Sequence, residues 1–436
     1  MSETSGSETG SIMQRRRGNE HAVAHDPTFS STTRGAVTLL PTPEKSPLWC
    51  PVISVDDHAL EPYDTFTRRV PAAMRDEAPH VVEDEEGVPY WVIDGVREPV
   101  IVTNGSVGRP KEEWTHAPAK YDEFRDGVHS ATARLLDMDI DGTWASLCFP
   151  SLVFGFAGKV FAWMGDHDVA LASLTAWNDW MIEEWCAAAP DRYIPCQLAW
   201  LLDPEIAAAH IRRNAARGFK AVSFSENPEG LGLPSIHTGY WDPFLAACEE
   251  TGTVINLHVG SSGNVNRPSS DSPREAVIAL FPVNGMFAAV DWLFAKIPVR
   301  FPDIRICLSE AGASWVPMIT ERLGRAYRQI GSPMNWTRAD GDPTEILRRN
   351  FRYASLEDPS AFRLLDVVGE DNVMVEADYP HPDSVWPDTQ ELIRGELNQL
   401  PNTAIRKLCY ANAAALYRHP LPPADLIAKS TIGSAG

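Results

Sequence analysis

A parallel (β/α)8 barrel, the TIM-barrel architecture, is the fold this sequence predicts, and three observations predict it. Eight short apolar runs read as strands, helical stretches lie between most of them, and no glycine-rich phosphate loop follows the first run to favour a doubly wound open sheet. The runs are 52–58, 144–149, 193–201, 219–225, 253–259, 304–309, 351–355 and 372–378. They are rich in β-branched residues and bounded by turn signals. The helices are expected at 168–189, 204–217, 241–250, 274–296, 314–330, 359–368, 386–398 and 402–417. The second of these has a clear entry and exit. Asp203 stands before Pro204 as cap and first helical residue, and Gly218 closes the helix before the next strand.

The interval from strand one to strand two is too long for a single helix. Residues 59–143 are read as an insertion over part of the barrel mouth, with acidic loops, a small strand at 89–93 and a helix near 119–137. Residues 1–49 are rich in Ser, Thr, Gly and charge, and are expected to be disordered. The barrel is assigned to residues 50–420, and 421–436 are expected to form a loop-like tail.

Composition bounds the function. The chain has 436 residues, 44% hydrophobic and 22% charged, with a formal net charge of -21. So acidic a surface repels nucleic acid and anionic membranes, so the expected partner is a small molecule. Arg15, Arg16 and Arg17 have no apolar core behind them, which argues against a signal peptide. No apolar run reaches the roughly 18 residues that read as a membrane span. The seven cysteines fall singly, mostly within apolar runs, and read as free thiols in a reducing cytoplasm.

Four strand ends carry the candidate chemistry. Asp56 and His58 are two apart on the first strand and share a face. His258 ends Val254-Ile255-Asn256-Leu257, and Asp378 ends the last strand. In a parallel barrel those ends converge on one rim, so Asp56, His58, His258 and Asp378 are the expected ligands of one divalent cation. Mixed nitrogen and oxygen donors suit zinc first, then manganese or iron. Taken singly, each residue has a plainer reading as a strand-end cap or a hydrogen-bonded histidine. Glu310 ends the sixth strand beside Ala311-Gly312-Ala313 and is a candidate acid or base, as is Asp378. His381, in the stiff Tyr379-Pro380-His381-Pro382 turn, and Arg322 are candidate substrate contacts. Lys220 stands at the start of its strand and reads as structural. Trp144, Trp163, Trp200, Trp241, Trp315 and Trp386 read as core rather than pocket.

These segments resemble the amidohydrolase superfamily, and within it the amidohydrolase 2 branch that includes aminocarboxymuconate semialdehyde decarboxylase and the resorcylate-type decarboxylases. The matching pieces are Val55-Asp56-Asp57-His58 with Glu61-Pro62, Asn256-Leu257-His258, Ser309-Glu310-Ala311-Gly312, Ser355-Leu356-Glu357-Asp358-Pro359, Asp378-Tyr379-Pro380-His381 and Asn412-Ala413 with Leu416-Tyr417. The resemblance implies a one-metal site on Asp56, His58, His258 and Asp378, and a homodimer. It implies a substrate that is a small cyclic or aromatic carboxylate or amide, processed by hydrolysis or non-oxidative decarboxylation. The chain departs from the family in two places. Many members have histidine at position 56, and many have a catalytic histidine where Glu310 stands. A barrel that has lost catalysis and serves as a binding or scaffold protein is the alternative.

Overall fold

The computed structural model describes residues 34–269, 271–329 and 335–432. Twelve strands form three sheets among these residues. The first strand, β1 (Val52–His58), is wholly buried and pairs in parallel with β5 (Thr143–Phe149), which pairs with β6 (Tyr193–Ile194). A second parallel sheet runs β7 (Cys196–Leu198), β8 (Ala221–Ser225), β9 (Val254–His258), β10 (Ile306–Ser309), β11 (Phe351–Ser355) and β12 (Val373–Val375), each beside the next. All six are buried along most of their length, as expected for strands covered on both faces.

The run expected as one strand at 193–201 is therefore two pieces. Pro195 falls between β6 and β7 and brings no N–H to a ladder, and β6 pairs with one sheet while β7 pairs with the other. At the far end, Asp378 N donates to Asp56 O (2.8 Å) and Ala377 N to Ser54 Oγ (2.9 Å). These contacts tie the last strand's exit to β1 without forming a ladder. The observed architecture is α/β with parallel sheets.

Between β1 and β5 lies a three-stranded antiparallel sheet, β2 (His80–Glu83), β3 (Pro89–Ile93) and β4 (Val96–Pro99). Only its middle strand is legible in the sequence. The helix expected near 119–137 is instead Ala131–Asp141. Ser130 caps it by accepting from Ala133 N, and Gly127 interrupts the chain before it. The run 274–296 is two helices, Arg274–Ala279 and Phe281–Phe294, and 359–368 is also two. The helix Pro343–Asn350 was not expected.

The tail expected as loop holds the helix Ala424–Lys429, and Ile432 N beyond it donates to Trp49 O (3.2 Å). Of the segment expected as disordered, 1–33 lies outside the described residues. Residues 34–49 carry no helix or strand, but Leu40 N donates to Gly108 O (2.8 Å) and Ser46 N to Ile140 O (2.9 Å).

One buried amide holds this end of the chain. Gln390 Oε1 accepts from both Trp49 N (2.9 Å) and Cys50 N (3.0 Å), and its Nε2 donates to Asp141 O (3.2 Å). Gln390→Ala strands three buried backbone groups, so unfolding free energy is expected to fall by about 2–4 kcal/mol. Gln390→Glu keeps the acceptor and is expected to cost less. Denaturant titration of the two variants checks the order.

Candidate metal centre

The period-2 geometry of β1 places Asp56 and His58 on one face. β9, in the other parallel sheet, presents His258, and the turn after β12 presents Asp378 and His381. All five are buried. His58 Nε2 lies 3.3 Å from His258 Nε2, 3.3 Å from Asp378 Oδ1 and 3.5 Å from Asp56 Oδ1. His258 Nε2 lies 3.4 Å from Asp56 Oδ1. His381 stacks on His58 with ring centroids 3.8 Å apart, and its Nδ1 is 3.2 Å from Asp378 Oδ1.

The tautomers follow from the far side of each ring. His58 Nδ1–H donates to Pro150 O (3.1 Å) and His258 Nδ1–H to Val259 O (2.7 Å). Both Nε2 atoms are then lone pairs aimed at one another. Burial, and for His58 also His381, lowers both imidazoles, to about 3 for His58 and about 4 for His258. They are neutral at pH 7, the form in which imidazole binds a metal. Facing these lone pairs, neither carboxyl oxygen of Asp56 has a hydrogen-bond partner, and Asp378 Oδ1 has only the His58 and His381 imidazoles beside it. Lone pairs and carboxylates converging without donors repel one another unless a cation lies between them. The donor set fits one divalent cation. Asp56, His58 and His258 form one possible ligand group, and His58, Asp378 and His381 another.

The carboxyl groups diverge in charge. Burial and then Asp378 push Asp56 well above the usual carboxylate range. Burial also opposes Asp378, but His381 and His58 outweigh it and hold its carboxyl below the usual range. Glu310 is pushed well up by burial, then by Asp378 and Asp56. Its Oε2 is 3.7 Å from His258 Nδ1, and its backbone N donates to Glu376 Oε2 (3.1 Å).

A cavity of about 1940 Å³ opens over this cluster. Glu310, Glu376, Asp378 and His381 reach it, whereas Asp56, His58 and His258 lie behind them. Phe156, Val160, Val259, Phe281, Trp163 and Trp386 supply apolar wall. Two tryptophans read as core thus border the cavity. Strands β3 and β4 and the segment around Pro41 contribute further wall.

Asp56, His58, His258, Asp378, Glu310 and His381 are thus brought together. Arg322 is not, being exposed on the helix Val316–Arg328 and outside the cavity lining. Sequence reasoning missed Glu376, two residues before Asp378, and Asp383, which joins Glu310 and Asp378 in a third acidic group. Alternation along the last run was the signal for Glu376.

A family model described as Amidohydrolase matches residues 114–419, more than half of the chain. The chain belongs to the amidohydrolase 2 family. The matched span contains His258, Glu310, Asp378 and His381, while Asp56 and His58 precede it. Solved structures share the fold of this chain. One is an amidohydrolase from Mycobacterium avium subsp. paratuberculosis K-10, with 22% identity and a TM-score of 0.66, covering 84% of this chain and 99% of that one. Another is 5-carboxyvanillate decarboxylase from Sphingomonas paucimobilis, with 20% identity and a TM-score of 0.57, covering 85% and 99%. A third is a dihydroxybenzoic acid decarboxylase from Polaromonas sp. JS666 with bound manganese and the inhibitor 2-nitroresorcinol, at 14% identity, a TM-score of 0.56, and coverage of 84% and 97%. No curated protein matches the chain.

Proposed function

We propose that this amidohydrolase is a metal-dependent carboxy-lyase for a small aromatic carboxylate, built as a (β/α)8 barrel with residues 59–143 as its insertion. One observation carries the reading. Asp378 is a carboxyl group that reaches both the ligand cluster, 3.3 Å from His58 Nε2, and the cavity. The activities of the decarboxylases that share the fold point the same way.

Asp56, His58, His258 and Asp378 would hold the cation. When bound, it supplies Lewis acidity toward a substrate oxygen. The chain's own residues do the rest. Phe156, Val160 and Phe281 hold the ring and keep water away. Asp378, ionised in the free site, takes a proton from the acidic group of the entering substrate and delivers it to the ring carbon. The electron pair of the breaking carbon–carbon bond stays on that carbon, CO2 departs, Asp378 is left ionised, and the product regains its acidic proton from solvent. Glu310 orients the carboxylate from across the floor.

Hydrolysis is the second reading, favoured by Glu310 itself, a carboxyl group on the cavity floor beside His258. A non-catalytic scaffold is disfavoured by the strain of an uncompensated buried cluster. Mixed donors suit zinc, manganese or iron. The seven buried thiols support a reducing cytoplasm, the resemblance alone supports a homodimer, and no helix among the described residues is long and apolar enough to cross a membrane.

The test is a panel of hydroxybenzoates and cyclic amides given to metal-loaded protein, followed for CO2 and for hydrolysis products. CO2 release from an aromatic carboxylate, lost with a chelator and restored by a divalent ion, is the expected result. Hydrolysis without CO2 favours the second reading, and a protein that binds no metal overturns both.

A further inference from the structure

Behind the ligand cluster, on the opposite face of β1, lies a buried ionic network that the chemistry above does not use. Asp57 points away from the cavity between the two β1 ligands. Its Oδ1 accepts from Tyr379 N (2.9 Å), and its Oδ2 accepts from Ser146 Oγ. Arg134 is a fully buried guanidinium. Its Nη2 donates to His58 O (2.6 Å), its Nε to Gly127 O (2.5 Å), and it lies 4.1 Å from the Tyr379 ring centroid. Tyr379 OH donates to Asp137 Oδ2 (2.5 Å), which Arg125 also holds. Gly127 is required at this crossing, because a Cβ there would stand 2.4 Å from Asp137 Oδ2 and 2.9 Å from Tyr379 OH.

The network ends on particular atoms. One is the carbonyl of His58, and another is the amide N–H of Tyr379, next to Asp378. Two backbone bonds complete the frame, His58 N to Tyr379 O (2.7 Å) and Asp378 N to Asp56 O (2.8 Å). Asp56 and His58 come from the first strand and Asp378 from beyond the last, about 320 residues later. Nothing in local sequence holds these three donors in register. The buried Arg134–Asp57 arrangement spans that gap and bonds to both sides.

We infer that Asp57 and Arg134 are positioning residues that set the geometry of the cation site through the main chains of His58 and Tyr379. The inference rests on the metal-centre reading above. Partners outside the ligand set that fix ligand orientation are worth about 10–100-fold in metal affinity. Arg134 donates to the main-chain carbonyls of Gly127 and His58, so its effect on the site runs through the backbone. Arg134→Lys keeps the charge but loses the forked bonding to two carbonyls. Asp57→Asn keeps an acceptor for Tyr379 N but removes the charge.

The test strips wild type, Arg134→Lys and Asp57→Asn of metal and titrates each with Mn2+ and Co2+. The visible absorption of bound Co2+ and the melting of metal-free protein are recorded alongside. Both variants are expected to melt below wild type yet stay folded, to bind about 10–100-fold more weakly and to shift the Co2+ bands. Folded variants with wild-type affinity and identical Co2+ bands overturn the inference. So does unfolding of both, which makes the network structural only. If one unfolds, the other decides. Wild type that takes up no cation overturns the metal-centre reading itself, a different result from variants that match a metal-binding wild type.

Discussion

His258→Ala is expected to lose the cation and with it nearly all turnover. The imidazole is buried, its Nδ1–H is committed to Val259 O, and its Nε2 lone pair faces Asp56 and His58. Alanine leaves a hole among carboxylates and supplies no donor. A lost direct ligand should cost more than the roughly 100-fold typical at the upper end for an outer partner. Metal content after dialysis, together with a titration of the stripped protein, measures it. Stoichiometric metal at wild-type affinity would remove His258 from the ligand set.

The second large effect separates two carboxyl groups. Asp378→Asn at saturating metal is expected to lower kcat by about a thousandfold, near 4 kcal/mol of barrier, because the amide keeps the shape and loses the exchangeable proton. Glu310→Gln keeps a hydrogen-bonding group facing the cavity and is expected to cost only about tenfold to a hundredfold. The geometry behind this order is that Asp378 stands within the cluster, 3.3 Å from His58 Nε2, and also faces the cavity, whereas Glu310 flanks it, with Oε2 3.7 Å from His258 Nδ1. Steady-state kinetics decide. A Glu310→Gln enzyme as inactive as Asp378→Asn would make Glu310 the essential acid. Near-normal kcat in Asp378→Asn would take Asp378 out of the chemistry.

The candidate site was more legible than the frame around it. Asp56, His58, His258, Glu310 and Asp378 each stand at or just past the end of an apolar run, and parallel sheets bring such ends to one side. That argument needs only strand direction. Arg322 shows where it fails. Helical position alone sets no distance to the cavity, and its helix turns it to solvent. The Arg134–Asp57 network was illegible because it joins a helix, a strand and a turn far apart in sequence. Periodicity carries no information about such pairings.

The stretch between β1 and β5 was hardest to read. Strands β2 and β4 are only four residues each and partly exposed, so they show little alternation. The long helical runs break at identifiable points. Pro282 opens a new helix at Phe281–Phe294, and a π turn over Met181–Trp185 ends the regular helix His167–Trp180. The 34–49 segment shows that a polar composition does not preclude specific backbone bonds, such as Leu40 to Gly108.

Glu310 and Asp378 share a further property. Both have left-handed backbones, with φ of 57° and 47°. Side chains other than glycine, and to a lesser degree asparagine, take that conformation at a cost of about 1–3 kcal/mol. Selection for foldability alone would place glycine at both positions. That the chain instead spends two acidic side chains there makes them the points where durability and chemistry compete. A search for more thermostable variants that ignored activity would be drawn to these two positions, as to the other left-handed side chains, and here it would strip two acidic groups from the cavity.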